Sequence, residues 1–222
     1  MTGMSLSNLT RRWQHGWGLA RGLAPATEVD GGLLVTLDLP GRYQEFVAFD
    51  AAAVPAMAAR AARAPRPTWL SVVTHDPESA RARFAAARLE TIGTHDFLMT
   101  IPLDDHPVRE APDGYGVAIT ETGGVLAATV THRDGSPAAR GLMGLHGTDA
   151  VAHAIATEPA HRRRGLGSVV MSALGRAARR RGATTGLLVA VPEGERLYTS
   201  LGWSTDAHFL TAAAPSLAAS TH

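Results

Sequence analysis

An apolar run at residues 151–155 is closed by Glu158-Pro159 and followed by a short loop carrying three arginines and two glycines, then by a helical pattern reaching Gly182. Few folds accommodate that order. Proline lacks a ladder donor and disfavours a helical residue before it, so the run is expected to be a strand that stops at the loop. Past the loop, Leu166, Val170, Leu174 and Ala177 recur at helical spacing, and Val169 and Ala173 widen the apolar stripe. The helix must lay that stripe on a sheet.

Where the helix begins, bare backbone N–H groups and the positive end of the helix dipole meet the charge of Arg162, Arg163 and Arg164. Such a spot suits a phosphate, and Gly165 and Gly167 let a ligand approach the backbone closely. Two common phosphate loops do not fit. A P-loop needs lysine after its second glycine, where Ser168 stands, and the dinucleotide fingerprint needs a third glycine where Val170 stands. A glycine-relaxed turn with solvated arginines is the alternative reading of the loop.

Composition narrows the chemistry. A net charge of +1 gives little attraction for a phosphate backbone, so no nucleic-acid partner is expected. The second arginine cluster, Arg179, Arg180 and Arg181, complements the negative helix end before Gly182. All 21 basic residues are arginine, as in a GC-rich bacterial coding sequence, so the chain has no internal lysine to modify. The absence of cysteine excludes a disulfide framework, a thiolate zinc site and a cysteine nucleophile. His153 and His161 lie eight apart without a carboxylate cluster, so no metal is expected. No apolar stretch approaches a membrane span and residues 1–23 lack a signal-peptide core, so a cytoplasmic protein without a membrane partner is expected. Trp13 and Trp17 lie four apart and can share a helix face, which points to core packing.

The 222 residues allow one large domain or two small ones. Strands are expected at residues 33–37 and 43–49 around Pro40-Gly41, a helix over 51–64 capped by Asp50, a strand at 69–73, a helix over 78–89 and a strand at 96–103. Residues 185–191, 193–200 and 207–211 repeat the later part of that order. The pattern predicts a tandem repeat of one α/β unit, with 1–105 as the first copy, 106–114 as a linker rich in proline and glycine, 115–213 as the second copy and 214–222 as a tail. Similarity common to any α/β chain is the competing explanation. Meander strands at 115–122, 125–132 and 139–146, the first two joined at Gly123-Gly124, lead into the central run. At the position of the arginine loop the first copy has Asp50-Ala51-Ala52-Ala53, without glycine or positive charge.

Arg162 to Gly167 reads Arg-x-x-Gly-x-Gly, and residues 196–203 read Arg-Leu-Tyr-Thr-Ser-Leu-Gly-Trp. In this order, with a helix and strand between them, they resemble the coenzyme A loop and the Leu-Tyr-x-x-Leu-Gly-Phe segment of the GCN5-related N-acetyltransferase (GNAT) family, tryptophan taking the aromatic place. The resemblance covers about residues 115–211 and is strongest over 151–203; the layout is similar to bacterial tandem GNAT proteins with a degenerate first copy. It implies an α/β (α+β) fold with a mixed, mostly antiparallel central sheet flanked by helices. It also implies an acetyl-CoA-dependent N-acetyltransferase that transfers an acetyl group to an amine of a small molecule or peptide by direct attack.

By the same resemblance, the backbone N–H of Ile155 stabilises the oxyanion, Ile155, Ala156 and Thr157 pair with the pantetheine arm, and Arg162, Arg163, Arg164, Gly165, Leu166, Gly167 and Ser168 hold the pyrophosphate. Tyr198 matches the family's acid for the departing thiolate, or packs the last helix on the sheet. His153 occupies the place of a base in arylalkylamine-type members, or is a hydrogen-bonded core residue. It lies two residues before Ile155 and is expected on the same strand face. His146, His161 and Glu158 are weaker candidates. Val191-Pro192 replaces the asparagine that many members carry before the last helix. The second copy lacks the early helices that build the acceptor site, so the first copy is expected to wall it. An acyl-CoA sensor or interaction scaffold is the alternative function. Trp203 and the tail offer a homodimer contact or fray.

Overall fold

The computed structural model describes residues 5–218. Helix α1 (Leu6–Ala20) is followed by strands β1 (Thr27–Val29), β2 (Gly32–Leu39) and β3 (Arg42–Ala48), helix α2 (Val54–Arg63), strand β4 (Thr68–Thr74), helix α3 (Pro77–Ala86) and strand β5 (Glu90–Pro102). Next come strands β6 (Tyr115–Thr122), β7 (Val125–His132), β8 (Pro137–His146) and β9 (Asp149–Thr157), helix α4 (Leu166–Arg180), strand β10 (Thr185–Ala190), helix α5 (Pro192–Ser200), strand β11 (Ser204–Ala213) and helix α6 (Pro215–Ala218).

Local chemistry sets most of these boundaries. The Ser5 side chain caps α1, Asp50 accepts from Ala53 N at 3.1 Å in the turn leading to α2, and Asp76 accepts from Ser79 N at 3.0 Å to start α3. After α4, Ala183 N donates back to Ala178 O at 3.1 Å around Gly182. Strand β5 begins at Glu90, earlier than the sequence pattern suggests, because residues 90–92 pair with residues 211–213 of β11 across a bulge. The expected 207–211 strand lengthens for the same reason. Of the tail, 214–218 is described and holds α6; residues 219–222 lie outside the described residues.

All eleven strands form one sheet in the order β1-β2-β3-β4-β11-β5-β10-β9-β8-β7-β6. Only β3–β4 and β9–β10 are parallel, so the sheet is mixed and mostly antiparallel. The order is close to a palindrome: β11, the last strand of the chain, pairs with β4, while β5 pairs with β10. Each parallel pair is thus extended by a strand from the other half of the chain, and β5 and β11 meet in the middle.

Helix α4 covers one face of β7, β8 and β9, with Val170, Met171 and Leu174 buried against Leu126, Met143 and Ala152. The opposite face of β8 and β9 is covered by α1, far away in sequence, whose Leu9 and Trp13 pack with Val151, Leu187 and Phe209. This seat is tight. A Cβ on Gly144 of β8 would overlap the carbonyl oxygen of Gly16 in α1 and stand 3.2 Å from Ala20 N. Arg12 of α1 binds Asp149 at the start of β9 through Nε–Oδ2 at 2.8 Å, and Asp149 is buried.

Candidate active site

The site is built where the second parallel pair comes apart. Strands β9 and β10 pair only at Asp149↔Thr185, Ala150↔Gly186 and Val151↔Leu187. Beyond that they diverge, and residues 152–157 and 188–191 line a cavity of about 990 Å³. By contrast, β3 and β4 stay paired from Gln44↔Thr68 through Ala48↔Val72, so the first parallel pair is closed to its end.

A bulge shapes the open edge. The β8–β9 ladder steps from Leu142↔His153 to Arg140↔Ala156, so Ala154 and Ile155 both stand opposite Gly141, with Ala154 at φ +52°. An extra residue of this kind leaves a backbone group outside the ladder and bends the strand. It also breaks the two-residue alternation on which the shared face of His153 and Ile155 depends. The Ile155 side chain lies on the α4 side, clustering with Val170 and Leu174 around Gly141. His153 lies on the α1 side, its ring 6.3 Å from Trp17. The two residues therefore project to opposite faces, contrary to the simple strand pattern.

Past Thr157 the chain makes a short 3-10 turn at Pro159–His161 and reaches the arginine loop. Arg162 Nε donates to the Thr157 carbonyl at 3.3 Å, and the His161 ring sits 3.0 Å from the Tyr115 hydroxyl, tying the loop's entrance to β6. Arg163 (φ +62°) and Gly165 (φ +75°) both adopt left-handed backbone, and α4 begins immediately at Leu166. Such a succession turns backbone N–H groups into one concavity, and the helix dipole adds positive potential to it. Glycine at position 165 removes the Cβ penalty of that conformation.

On the other lip stands α5, with Tyr198 buried and its ring 5.9 Å from Trp203. Burial pushes the Tyr198 phenol up to about 12. No described residue hydrogen-bonds its hydroxyl. His153 is shifted the other way: burial, and then the positive charge of Arg21, hold its imidazole below the ordinary value. It is accordingly neutral near pH 7.

The cavity extends under α1 to strands of the first half. Trp13 and Trp17 of α1, Arg21 at its C-cap, Arg42 and Glu45 of β3, Trp69 of β4, Asp96 of β5 and Thr211 of β11 line this end. Glu45 is only 1% exposed. Its carboxylate accepts from Arg42 and from the Ser71 hydroxyl, whose oxygen lies 2.7 Å from Thr211 Oγ1. The Arg42 guanidinium stacks 4.3 Å over Trp69, whose indole N–H donates to the Gly41 carbonyl at 2.9 Å. Burial raises Asp96, partly opposed by its hydrogen bond from Thr94.

Of the residues singled out from the sequence, Tyr198, His153, Ile155, Ala156, Thr157, Arg162, Arg163, Gly165, Leu166, Gly167 and Ser168 all line this one cavity. Arg164 is exposed and does not. Nor do His146, stacked on His15 at 3.5 Å, His161, or Glu158, paired with Arg140 at 3.0 Å. Sequence reasoning missed Arg21, Glu45, Trp69 and Asp96. Only Glu45 left a signal there, a carboxylate amid the apolar residues of β3. Among the described residues no group of three or more His, Asp or Glu side chains is arranged to hold a metal ion, and no helix is long and apolar enough to cross a membrane.

Residues 116–205 match the family model for the acetyltransferase (GNAT) domain. No curated protein matches the chain. Among solved structures, a GCN5-related N-acetyltransferase from Kribbella flavida superposes with TM-score 0.72 at 20% identity, over 97% of this chain and 97% of that one. A GCN5-related N-acetyltransferase from Sphaerobacter thermophilus gives TM-score 0.60 at 13% identity, over 82% of this chain and 76% of the other. A tandem GNAT protein from the clavulanic acid biosynthesis pathway gives TM-score 0.55 at 15% identity, over 73% of this chain and 69% of its own. Residues 116–205 are thus similar to a GNAT acetyltransferase domain, set in a fold that is GNAT-like throughout.

Proposed function

We propose that the protein is an acetyl-CoA-dependent N-acetyltransferase with its reaction centre in the fork between β9 and β10. Residues 1–105 and 115–213 are two repeat units joined by 106–114, with 214–222 as a tail. The first unit holds no cofactor, because β3 and β4 do not part and Asp50-Ala51-Ala52-Ala53 offers neither glycine nor positive charge. The observation that carries the reading is the continuity of one cavity from the bulged edge of β9 to the left-handed loop at the start of α4. A forked strand edge suits an amide-bearing arm, and a concave N–H loop suits a pyrophosphate. The residues present therefore fit the group.

Bound acetyl-CoA supplies a thioester carbonyl at the fork. Backbone N–H groups of residues 163–168 take the pyrophosphate oxygens, and the edge of Ile155, Ala156 and Thr157 pairs with the pantetheine amides. The backbone donor released by the bulge at Ala154 and Ile155 serves the oxyanion that forms when the amine attacks. Neutral His153, across the strand under α1, accepts the proton that the ammonium must lose. The C–N bond forms, the C–S bond breaks, and the sulfur leaves toward Tyr198. A phenol near 12 is uphill by about 5 kcal/mol as a complete proton donor to a thiolate whose thiol has pKa about 8.5, so Tyr198 acts by hydrogen-bonding the developing thiolate. The released thiolate can then take its proton from solvent.

Calorimetry with acetyl-CoA on the wild type and on Gly165→Glu tests the loop. Binding by the wild type and its loss in a folded variant are expected, since the substitution puts bulk and negative charge into the cradle. Absence of binding by the folded wild type would refute the reading. Binding without CoA release across an amine panel would favour an acyl-CoA sensor.

A further inference from the structure

The end of the cavity away from the arginine loop carries a charge that the reaction as described does not use. Four arginines line the cavity. Arg162 and Arg163 belong to the loop, and Arg42 is neutralised by Glu45. The side chain of Arg21, the C-cap of α1, makes no hydrogen bond and no ion pair with any described residue. Its guanidinium stacks over Trp17 at 4.8 Å and is half-buried. His153 meets the same indole edge-on, with ring centroids 6.3 Å apart. The other arginines of α1 are matched, Arg11 with Glu28 and Arg12 with Asp149. An unmatched, partly desolvated cation on an aromatic platform beside the proposed base is poised for an anion.

Resting on the acetyltransferase reading, we infer that the acceptor is an amine bearing a carboxylate, which Arg21 binds while the amino group faces His153. Tryptophans 13, 17 and 69 line the same end and suit an apolar or aromatic body. Glu45 does not compete for Arg21, because Arg42 and Ser71 already donate to it. Asp96 likewise accepts from Thr94. The acceptor class is then an amino acid or a close relative with a bulky side chain. An amine without an anionic group would leave Arg21 unmatched inside the complex. Burial and the charge of Arg42 lower the Arg21 pKa, the sign expected of a cation that lacks a counter-charge, and Glu45 opposes this only in part.

The test compares L-phenylalanine with phenethylamine, its decarboxylated counterpart, and N-acetyl-L-phenylalanine with N-acetylphenethylamine, on the wild type and Arg21→Gln. The wild type should favour the carboxylated member of each pair by about tenfold to a hundredfold, the worth of a charge-assisted hydrogen-bonded pair, and the variant should abolish that ratio. Arg21→Lys should restore part of it. The acetylated pair is read by calorimetry and needs no turnover, so the two readings can fail separately. Carboxylate-dependent binding without acetylation would remove the transferase reading and keep the anion site. Equal binding of both members by the wild type, or a ratio unaltered in Arg21→Gln, would overturn the inference.

Discussion

Seating α1 on β8 is what encloses the end of the cavity away from the arginine loop, and Gly144→Ala perturbs that seat directly. The added Cβ would overlap the Gly16 carbonyl oxygen and stand 3.0 Å from its carbonyl carbon and 3.2 Å from Ala20 N, where ordinary contact begins at 3.4 Å. All three neighbours are backbone, so no side chain can rotate away. The helix must withdraw by roughly 1 Å, loosening the contacts around Leu9 and Trp13. Overpacking of this kind costs about 1–3 kcal/mol, and two backbones in collision point to the upper end. The ceiling is full undocking of α1, which forfeits the burial of Leu9 and Trp13, about 3–6 kcal/mol together. An expected loss of about 3 kcal/mol is read from urea denaturation, or as a fall in Tm of about 6–12 °C. Gly116→Ala is the control: nothing lies within 4 Å of its Cβ position, so a change within about 0.5 kcal/mol is expected. Equal stability of Gly144→Ala and wild type would refute the backbone-to-backbone seat.

Three further predictions address charge and chemistry. Arg12→Ala leaves the buried Asp149 carboxylate without its guanidinium partner and should cost about 3–5 kcal/mol in equilibrium unfolding, with Arg12→Ala/Asp149→Asn recovering part; a loss below 1 kcal/mol would show the pair to be idle. Tyr198→Phe should lower kcat by about a hundredfold with little loss of stability at neutral pH, since no described residue bonds the hydroxyl. Because the folded phenol lies near 12 and the unfolded one near 10, wild-type stability should fall above pH 10, and the variant should lack that component; identical alkaline curves would contradict the burial effect. Burial lowers His15, His95, His106, His153 and His208, so the unfolded chain binds more protons below about pH 6.5 and stability should fall as pH drops through that value. The urea midpoint at pH 5.5 should lie below that at pH 7.5, and an unchanged or higher midpoint would contradict it.

The sequence alone determined the features whose causes are local. The strand at residues 151–155, the arginine loop, the start of α4 at Leu166 and the segment around Tyr198 depend on neighbours a few residues apart, through proline, glycine, helical spacing and unsatisfied N–H groups. Eleven of the twelve residues singled out on those features and on the family resemblance line one cavity. Tertiary structure decided the rest. Which strands adjoin is a choice among ladders that all offer the same backbone groups, so nothing in β5 or β11 announces that each crosses to the other half of the sheet. The bulge at Ala154 arises from register against β8 and turns Ile155 away from His153, a reversal that strand periodicity cannot encode. The far wall of the cavity is likewise non-local: Arg21, Glu45, Trp69 and Asp96 come from four separate elements, and only packing α1 against β8 and β9 brings them to one cavity.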